Sequence, residues 1–283
     1  MTSKERIHKL LNFNTPDRIG IHDTFLDDTL VKWRDVGMPD NISPQDYFGF
    51  DFEIQDIDSA VKSSTPGKAK MEKFQIISFS EPFQRLCSSR GRENVLREMA
   101  YNPKRFSSDL IIETENIINS FHRIIRQRKQ FDAAWAFGDL AYNKGMFFSP
   151  RIYKKLLLPL HREIFKYLNS ESIYVFFHSD GNVMDLLPHL IDAGVRAFHP
   201  LEENSGMNIG KLINDYKDDM VFMGHMDIGR LISGGSFDKL RERIEILKEK
   251  SFYIYHADYP IPPNIAFAEY KDAIEFLKEV GSY

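Results

Sequence analysis

Short apolar runs that end in polar residues recur along this chain, and each is followed by a segment with helical spacing. The clearest is Tyr174-Val175-Phe176-Phe177-His178-Ser179-Asp180-Gly181-Asn182-Val183. An apolar stretch leads into a histidine and an aspartate two positions apart, then a glycine turn, then a helical pattern through Leu186, Leu187, Leu190 and Ile191. Such a run before an amphipathic helix reads as a buried strand feeding a βα unit. The same arrangement occurs at residues 18–23, 74–81, 132–139, 195–199, 220–225 and 251–256, with an eighth candidate inside 50–62. Between them lie helical faces, such as Phe106, Leu110, Ile117, Phe121, Ile124 and Ile125, or Ile152, Leu156, Leu160, Ile164 and Leu168, the latter expected to kink at Pro159. Strand–helix alternation of this kind calls for a parallel sheet covered by helices. No GxGxxG follows the first run and no Walker sequence is present. The expectation is therefore an α/β fold, a single (β/α)8 barrel of TIM type over residues 1–283, with its active site at the carboxyl ends of the strands. Residues 50–74 are irregular in pattern; a hairpin or an excursion over the barrel mouth is expected there, with a turn at 63–67.

Composition narrows the function. The formal net charge of −4, with both signs interspersed, gives no footprint for nucleic acid or an anionic membrane. The single cysteine, Cys87, excludes an intrachain disulfide and any multi-cysteine metal site and fits a reducing compartment. The start Met1-Thr2-Ser3-Lys4-Glu5-Arg6 carries a capping-box pattern rather than a signal peptide. No run approaches the roughly 20 apolar residues of a membrane helix. A soluble, cytoplasmic protein is expected; its oligomeric state is open, a homodimer included.

The polar residues at the strand ends carry the functional signal. His22, His178, His199, His225 and His256 each stand at or beside a predicted strand's carboxyl end, accompanied by Asp23, Glu81, Asp139, Asp180, Glu202 and Asp258. In a barrel these ends converge on one mouth, and imidazoles with carboxylates there suit metal binding or acid–base work. Alternatives hold residue by residue: Asp139 as a turn cap, Asp180-Gly181 as an ordinary turn, Asn182 as an N-cap, each strand-end histidine as a hydrogen-bonded structural residue. His178-x-Asp180 and His256-x-Asp258 share a chelating spacing, and imidazole with carboxylate would take zinc or another first-row divalent ion. The other reading of these pairs is a hydrogen-bonded network that holds an organic substrate. Asp139, His199, Glu202 and His225 are the candidate catalytic groups. His22, Asp23, Glu81, Arg85, Arg90 and Tyr259 are the candidate contacts to a small-molecule substrate.

Thr15-Pro16-Asp17-Arg18-Ile19, Asp46-Tyr47-Phe48-Gly49-Phe50-Asp51, Pro82-Phe83 through Arg90-Gly91, Gly138-Asp139, His178-Ser179-Asp180-Gly181-Asn182, His199-Pro200-Leu201-Glu202, Gly224-His225-Met226-Asp227 and Asp258-Tyr259-Pro260-Ile261-Pro262-Pro263 together resemble the uroporphyrinogen decarboxylase superfamily, nearly end to end. The resemblance is to its methyltransferase-like branches. It implies a distorted (β/α)8 barrel. True decarboxylases of the family bind their polyanionic substrate with an arginine-rich segment after the first strand. Here that segment reads His22-Asp23-Thr24-Phe25-Leu26-Asp27-Asp28, which is acidic. The methyltransferase branch moves a methyl group to or from a corrinoid (cobalamin) on a partner protein, with zinc held by a His-x-Cys pair and a later cysteine. Here the pair reads His178-Ser179-Asp180, and the later position falls near His256 or Asp258. The resemblance thus implies a metal-assisted methyltransferase whose metal is held by His178, Asp180 and one of His256 or Asp258. Harder nitrogen and oxygen donors replace the soft thiolates. The alternatives are a cofactor-independent decarboxylase and a tetrapyrrole-binding barrel without chemistry.

Overall fold

The computed structural model describes residues 1–63, 72–127, 130–232 and 236–283. Ten strands occur among them: β1 Gly20–Ile21, β2 Phe52–Asp56, β3 Phe74–Ser80, β4 Ala133–Phe137, β5 Ala141–Tyr142, β6 Gly145–Met146, β7 Tyr174–His178, β8 Val195–His199, β9 Val221–Met223 and β10 Tyr253–Tyr255. Eight of them form one sheet in the order β1-β10-β9-β8-β7-β4-β3-β2, with every neighbouring pair parallel. The sheet curls into a nearly closed α/β barrel of TIM type with helices outside. The expected strands are present, and the eighth is Phe52–Asp56. This corrects the expectation of an irregular excursion at its start: residues 52–62 are a wall strand and the helix Ile57–Lys62. The turn expected at 63–67 lies, beyond Ser63, outside the described residues. The helix expected to kink at Pro159 is instead two helices, Pro150–Leu156 and Leu158–Ser170, separated at Leu157. Pro159 sits in the first turn of the second, where its missing N–H costs nothing.

Alternation along the strands decides what lies inside. Phe74, Ile76, Trp135, Phe176, Ala197, Val221, Met223 and Ile254 form the barrel interior. The intervening Ile77, Phe79, Ala134, Ala136, Val175, Phe177 and Phe198 pack outward against the helices. The helix Ser3–Leu11, started by the predicted capping box of Thr2 and Glu5, plugs the amino-terminal end with Ile7, Leu10 and Leu11. Gly20 permits that plug: a Cβ there would lie 2.7 Å from Ile7 Cδ1 and 3.0 Å from Ile254.

No hydrogen-bonded ladder joins β1 to β2, and Asp51 bridges the seam instead. Its N–H donates to Ile21 O at 2.8 Å, and its Oδ2 accepts Ile21 N–H at 2.8 Å. Arg6 (2.7 Å) and Arg18 (2.9 Å) donate to the same buried carboxylate, so its charge is compensated by geometry rather than by water.

Candidate active site at the barrel mouth

The same alternation assigns the histidines. His178 stands two residues after inward Phe176, His199 two after Ala197, His256 two after Ile254, and His22 two after Gly20. All four therefore point into the carboxyl-terminal mouth. They line a cavity of about 630 Å³ together with Thr24, Gln45, Glu53, Ile54, Ser78, Trp135, Phe137, Asp180, Asp258, Tyr259 and Pro260.

A chain of hydrogen bonds fixes their tautomers. The Ala257 carbonyl can only accept. His199 Nε2 lies 3.1 Å from it and His256 Nδ1 2.6 Å, so both nitrogens carry hydrogen. Burial, then the neighbouring His256 and His178, holds His199 well below the usual imidazole range and therefore neutral; burial pushes His256 down to about 4. Neutral His199 then presents Nδ1 as an acceptor, and His178 Nδ1, 2.9 Å away, must donate to it. With Nδ1 carrying hydrogen, Nε2 is the His178 atom left to hold an ion or a proton. That atom faces two carboxylates, Asp180 at 3.4 Å and Asp139 at 3.7 Å. Three acceptors pointing at one another repel unless a cation or a proton lies between them.

The donor set fits a first-row divalent ion. Ligand atoms of Asp139, His178 and Asp180 all lie within 4.8 Å of one another. Two ligands each about 2.1 Å from a tetrahedral ion stand roughly 3.4 Å apart, close to the spacings at His178. A hydrogen bond from the far nitrogen of a ligating imidazole, as His178 makes to His199, is the usual support of such a ligand.

The turn that carries Asp180 is held from several sides. Ser179 Oγ accepts Leu140 N–H at 3.0 Å, Asp180 N–H reaches Asp139 at 3.3 Å, and Gly181 N–H donates to Glu202 at 2.5 Å. Gly181 has φ +83°, and a Cβ would meet the Tyr142 backbone at 2.5 Å. The β5–β6 hairpin therefore needs glycine where it rests on the turn. Arg92, which no motif distinguishes from Arg85 and Arg90, donates to the second Asp139 oxygen at 3.0 Å and lies over the Phe147 ring.

The remaining sequence candidates are distributed as follows. His22 and Tyr259 line the cavity with Asp258, whose carboxyl is pushed up to about 7 by burial. His256 and Asp258 line the same cavity but fall outside the Asp139–His178–Asp180 group. Asp23 lies behind the wall, bonded to the hydroxyls of Tyr255 (3.1 Å) and Tyr270 (2.7 Å), and burial raises it to about 7. Glu81 caps the helix Pro82–Arg90 through Phe83 and Gln84 N–H and meets His161 at 3.0 Å, fully buried. Arg85 donates to Ser80 O, and Arg90 pairs with Glu98 and Asp109. Neither these two arginines, Asp23 nor Glu81 is among the described residues that line the cavity, because each is committed to a neighbour in the wall or helix layer. Glu202 accepts from Gly181 and Ser205 and positions the turn. His225, at φ +61°, turns out of the strand's alternation; its Nδ1 is 2.9 Å from Leu201 O and it lines an adjoining groove of about 350 Å³ with Glu202 and Arg243, which shares Asp258 and Tyr259 with the cavity.

Four buried side-chain polar atoms lack a hydrogen-bond partner among the described residues: His22 Nδ1, Trp135 Nε1, His256 Nε2 and Asp258 Oδ1. All four residues line this one cavity. An unpaired buried donor or acceptor costs about 1–3 kcal/mol, so the cost is concentrated at the mouth.

A TIM-type barrel whose polar, unsatisfied groups gather at the carboxyl ends of its strands has the layout of a barrel with a working mouth. The family model for uroporphyrinogen decarboxylase (URO-D) matches residues 68–280, and the chain belongs to that family. A methyltransferase from Methanosarcina mazei superposes with a TM-score of 0.68 at 12% identity, covering 99% of this chain and 98% of that one. A 3-keto-D-glucoside 4-epimerase from E. coli superposes with a TM-score of 0.51 at 13% identity, covering 93% and 100%. At such identities the likeness is one of fold. No curated protein matches the chain in sequence. No helix among the described residues is long and apolar enough to cross a membrane.

Proposed function

We propose that this chain is a metal-assisted methyltransferase that works with a corrinoid methyl carrier on a partner protein. The observation that carries the reading is the tautomer chain from the Ala257 carbonyl through His199 to His178, which turns His178 Nε2 toward Asp139 and Asp180. Asp139, His178 and Asp180 would hold the ion. When bound, it supplies Lewis acidity that lowers the pKa of an acceptor group. The residues do the rest. Glu202 and the β5–β6 hairpin hold the Asp180 turn in place, and Arg92 balances the outer oxygen of Asp139. Trp135, Phe137 and Tyr259 wall the cavity with aromatic surface that excludes water. His256 Nε2, buried and unprotonated, can accept a hydrogen bond from a bound acceptor group. Methyl transfer is the activity named for the Methanosarcina mazei neighbour that spans almost the whole chain. A carboxy-lyase reading has less support. No lysine or arginine is among the described residues that line the cavity, so a substrate carboxylate would find no counter-charge there.

Elemental analysis of the purified protein tests the reading. About one divalent ion per chain is expected, zinc foremost, together with loss of methyl from methylcobalamin when an acceptor is added. His178→Ala should lose the ion while keeping its far-UV circular dichroism. A protein free of metal after purification without chelators, and not activated by added zinc, would sink the proposal.

A further inference from the structure

The unpartnered atoms of the mouth specify the ligand more closely than the metal group does. This step rests on the reading that the mouth is the active site. His256 carries its hydrogen on Nδ1, facing Ala257, so its buried Nε2 is an acceptor. The backbone N–H groups of Met226 and His225 lie beside the Asp258 carboxyl, and its unpartnered Oδ1 accepts from a ligand, or donates to one when the carboxyl carries its proton. Trp135 Nε1–H is a donor and nothing else. His22 Nδ1 serves either way according to its tautomer. These residues are 3%, 6%, 1% and 2% exposed, respectively, so bulk water does not serve them as it serves a surface group.

Ligand classes separate on this pattern. A quaternary ammonium ion offers no hydrogen-bonding group for any of the four. A dicarboxylate offers acceptors only and meets Glu53, Asp180 and Asp258 with no lysine or arginine among the described lining residues. A primary amine offers donors but nothing for Trp135. Hydroxyl groups both donate and accept, and several on one small frame answer all four positions. The aromatic faces of Trp135, Phe137 and Tyr259 suit the C–H faces of such a frame. The cavity falls within the range that holds small ligands. We propose that the mouth binds a neutral polyhydroxylated molecule of monosaccharide size, held by Trp135, His256, Asp258 and His22, as the small-molecule substrate of this site.

The test is isothermal titration of the protein, as purified and again after chelator treatment, with D-glucose, D-xylose and myo-inositol, and with tetramethylammonium and succinate as contrasts. At least one of the three hydroxylated probes should bind, and the contrasts should not. Trp135→Phe keeps a ring and removes the donor, and should weaken binding roughly fivefold to tenfold. Asp258→Asn keeps the volume and should weaken it comparably, so the test survives if the first variant fails to fold. Binding of tetramethylammonium or succinate without any hydroxylated probe, heat from no probe at all, or affinity unchanged from the parent in both variants overturns the inference. Hydroxylated probes that bind a protein free of metal leave this inference standing and remove the metal reading. A metal-loaded protein indifferent to them does the reverse.

Discussion

The two ends of the barrel are built from similar residues and solve opposite problems. At the amino-terminal end Arg6, Arg18 and Asp51 are buried or nearly so, and every oxygen of Asp51 has a donor. At the carboxyl-terminal end four histidines and Asp258 are also buried or nearly so, yet polar atoms on two of them and on Asp258 lack partners among the described residues, and His178 Nε2 faces two carboxylates. Charge compensated by protein groups stabilises a fold. Polar groups left for something outside the chain are the mark of a site. The contrast separates stability from function by position along the barrel axis, as barrels generally do.

The first way to break this contrast is at the seam. Asp51→Ala removes the group that bridges β1 to β2 and leaves Arg6 and Arg18 buried without their shared partner. It should destabilise the protein by about 3–5 kcal/mol in urea unfolding and leave metal content per folded chain unchanged. A loss under 1 kcal/mol would mean that the seam is held by packing alone.

The second acts at the mouth. His199→Phe keeps an aromatic ring beside Trp135 but deletes the acceptor that orients His178. Metal affinity, measured by competition with a chelating dye, should fall about 10- to 100-fold, with little change in unfolding midpoint. Unchanged affinity would show that His178 selects its tautomer without help.

The third uses a histidine–carboxylate pair that resembles the candidate metal group in composition only. Glu81 and His161 are fully buried, and both Glu81 oxygens and both His161 nitrogens have partners: Phe83 and Gln84 N–H on one side, the Tyr153 hydroxyl on the other. Glu81→Gln should cost about 1–3 kcal/mol of stability and nothing in metal content. Coupled loss of metal would join the two pairs into one network.

This difference between pairs explains what the sequence could reveal. The barrel was legible because buried parallel strands leave apolar runs and the covering helices leave a 3.6-residue period. The strand β2 was harder to see because Glu53, Gln55 and Asp56 dilute its pattern, and the β5–β6 hairpin, with two-residue strands, has no period to detect. The mouth was legible as far as strand alternation carries, which places His22, His178, His199 and His256 together. His225 leaves that alternation through its positive φ. Glu81 bore a signal that favoured a structural role, since Glu81-Pro82 is a cap followed by proline at the first helical position. Arg85, Arg90 and Arg92 look alike in sequence. Only the packing of the helices Pro82–Arg90 and Arg92–Tyr101 sends Arg92 to Asp139 and the others elsewhere.

Acid separates the two ends most finely. At the mouth, His256 has a folded pKa of about 4 against an ordinary 6.5. The unfolded chain therefore binds the extra proton between those values, and this contribution to stability is lost as pH falls through that window. At the other end, burial raises Asp17, but hydrogen bonds and charge from Arg6 outweigh it and hold the carboxyl at about 2 against 3.8. Its contribution is intact above 3.8 and is lost only as pH falls from there toward 2. Asp17 is 40% exposed, so solvent screening keeps the pair well under about 1 kcal/mol. Asp17→Asn should therefore lower the urea midpoint slightly at pH 7, keep the same small offset through the window in which His256 titrates, and merge with the parent near pH 2. An offset that instead closes between pH 6.5 and 4 would show that the two ends titrate as one unit, and the division of labour along the barrel axis would fail.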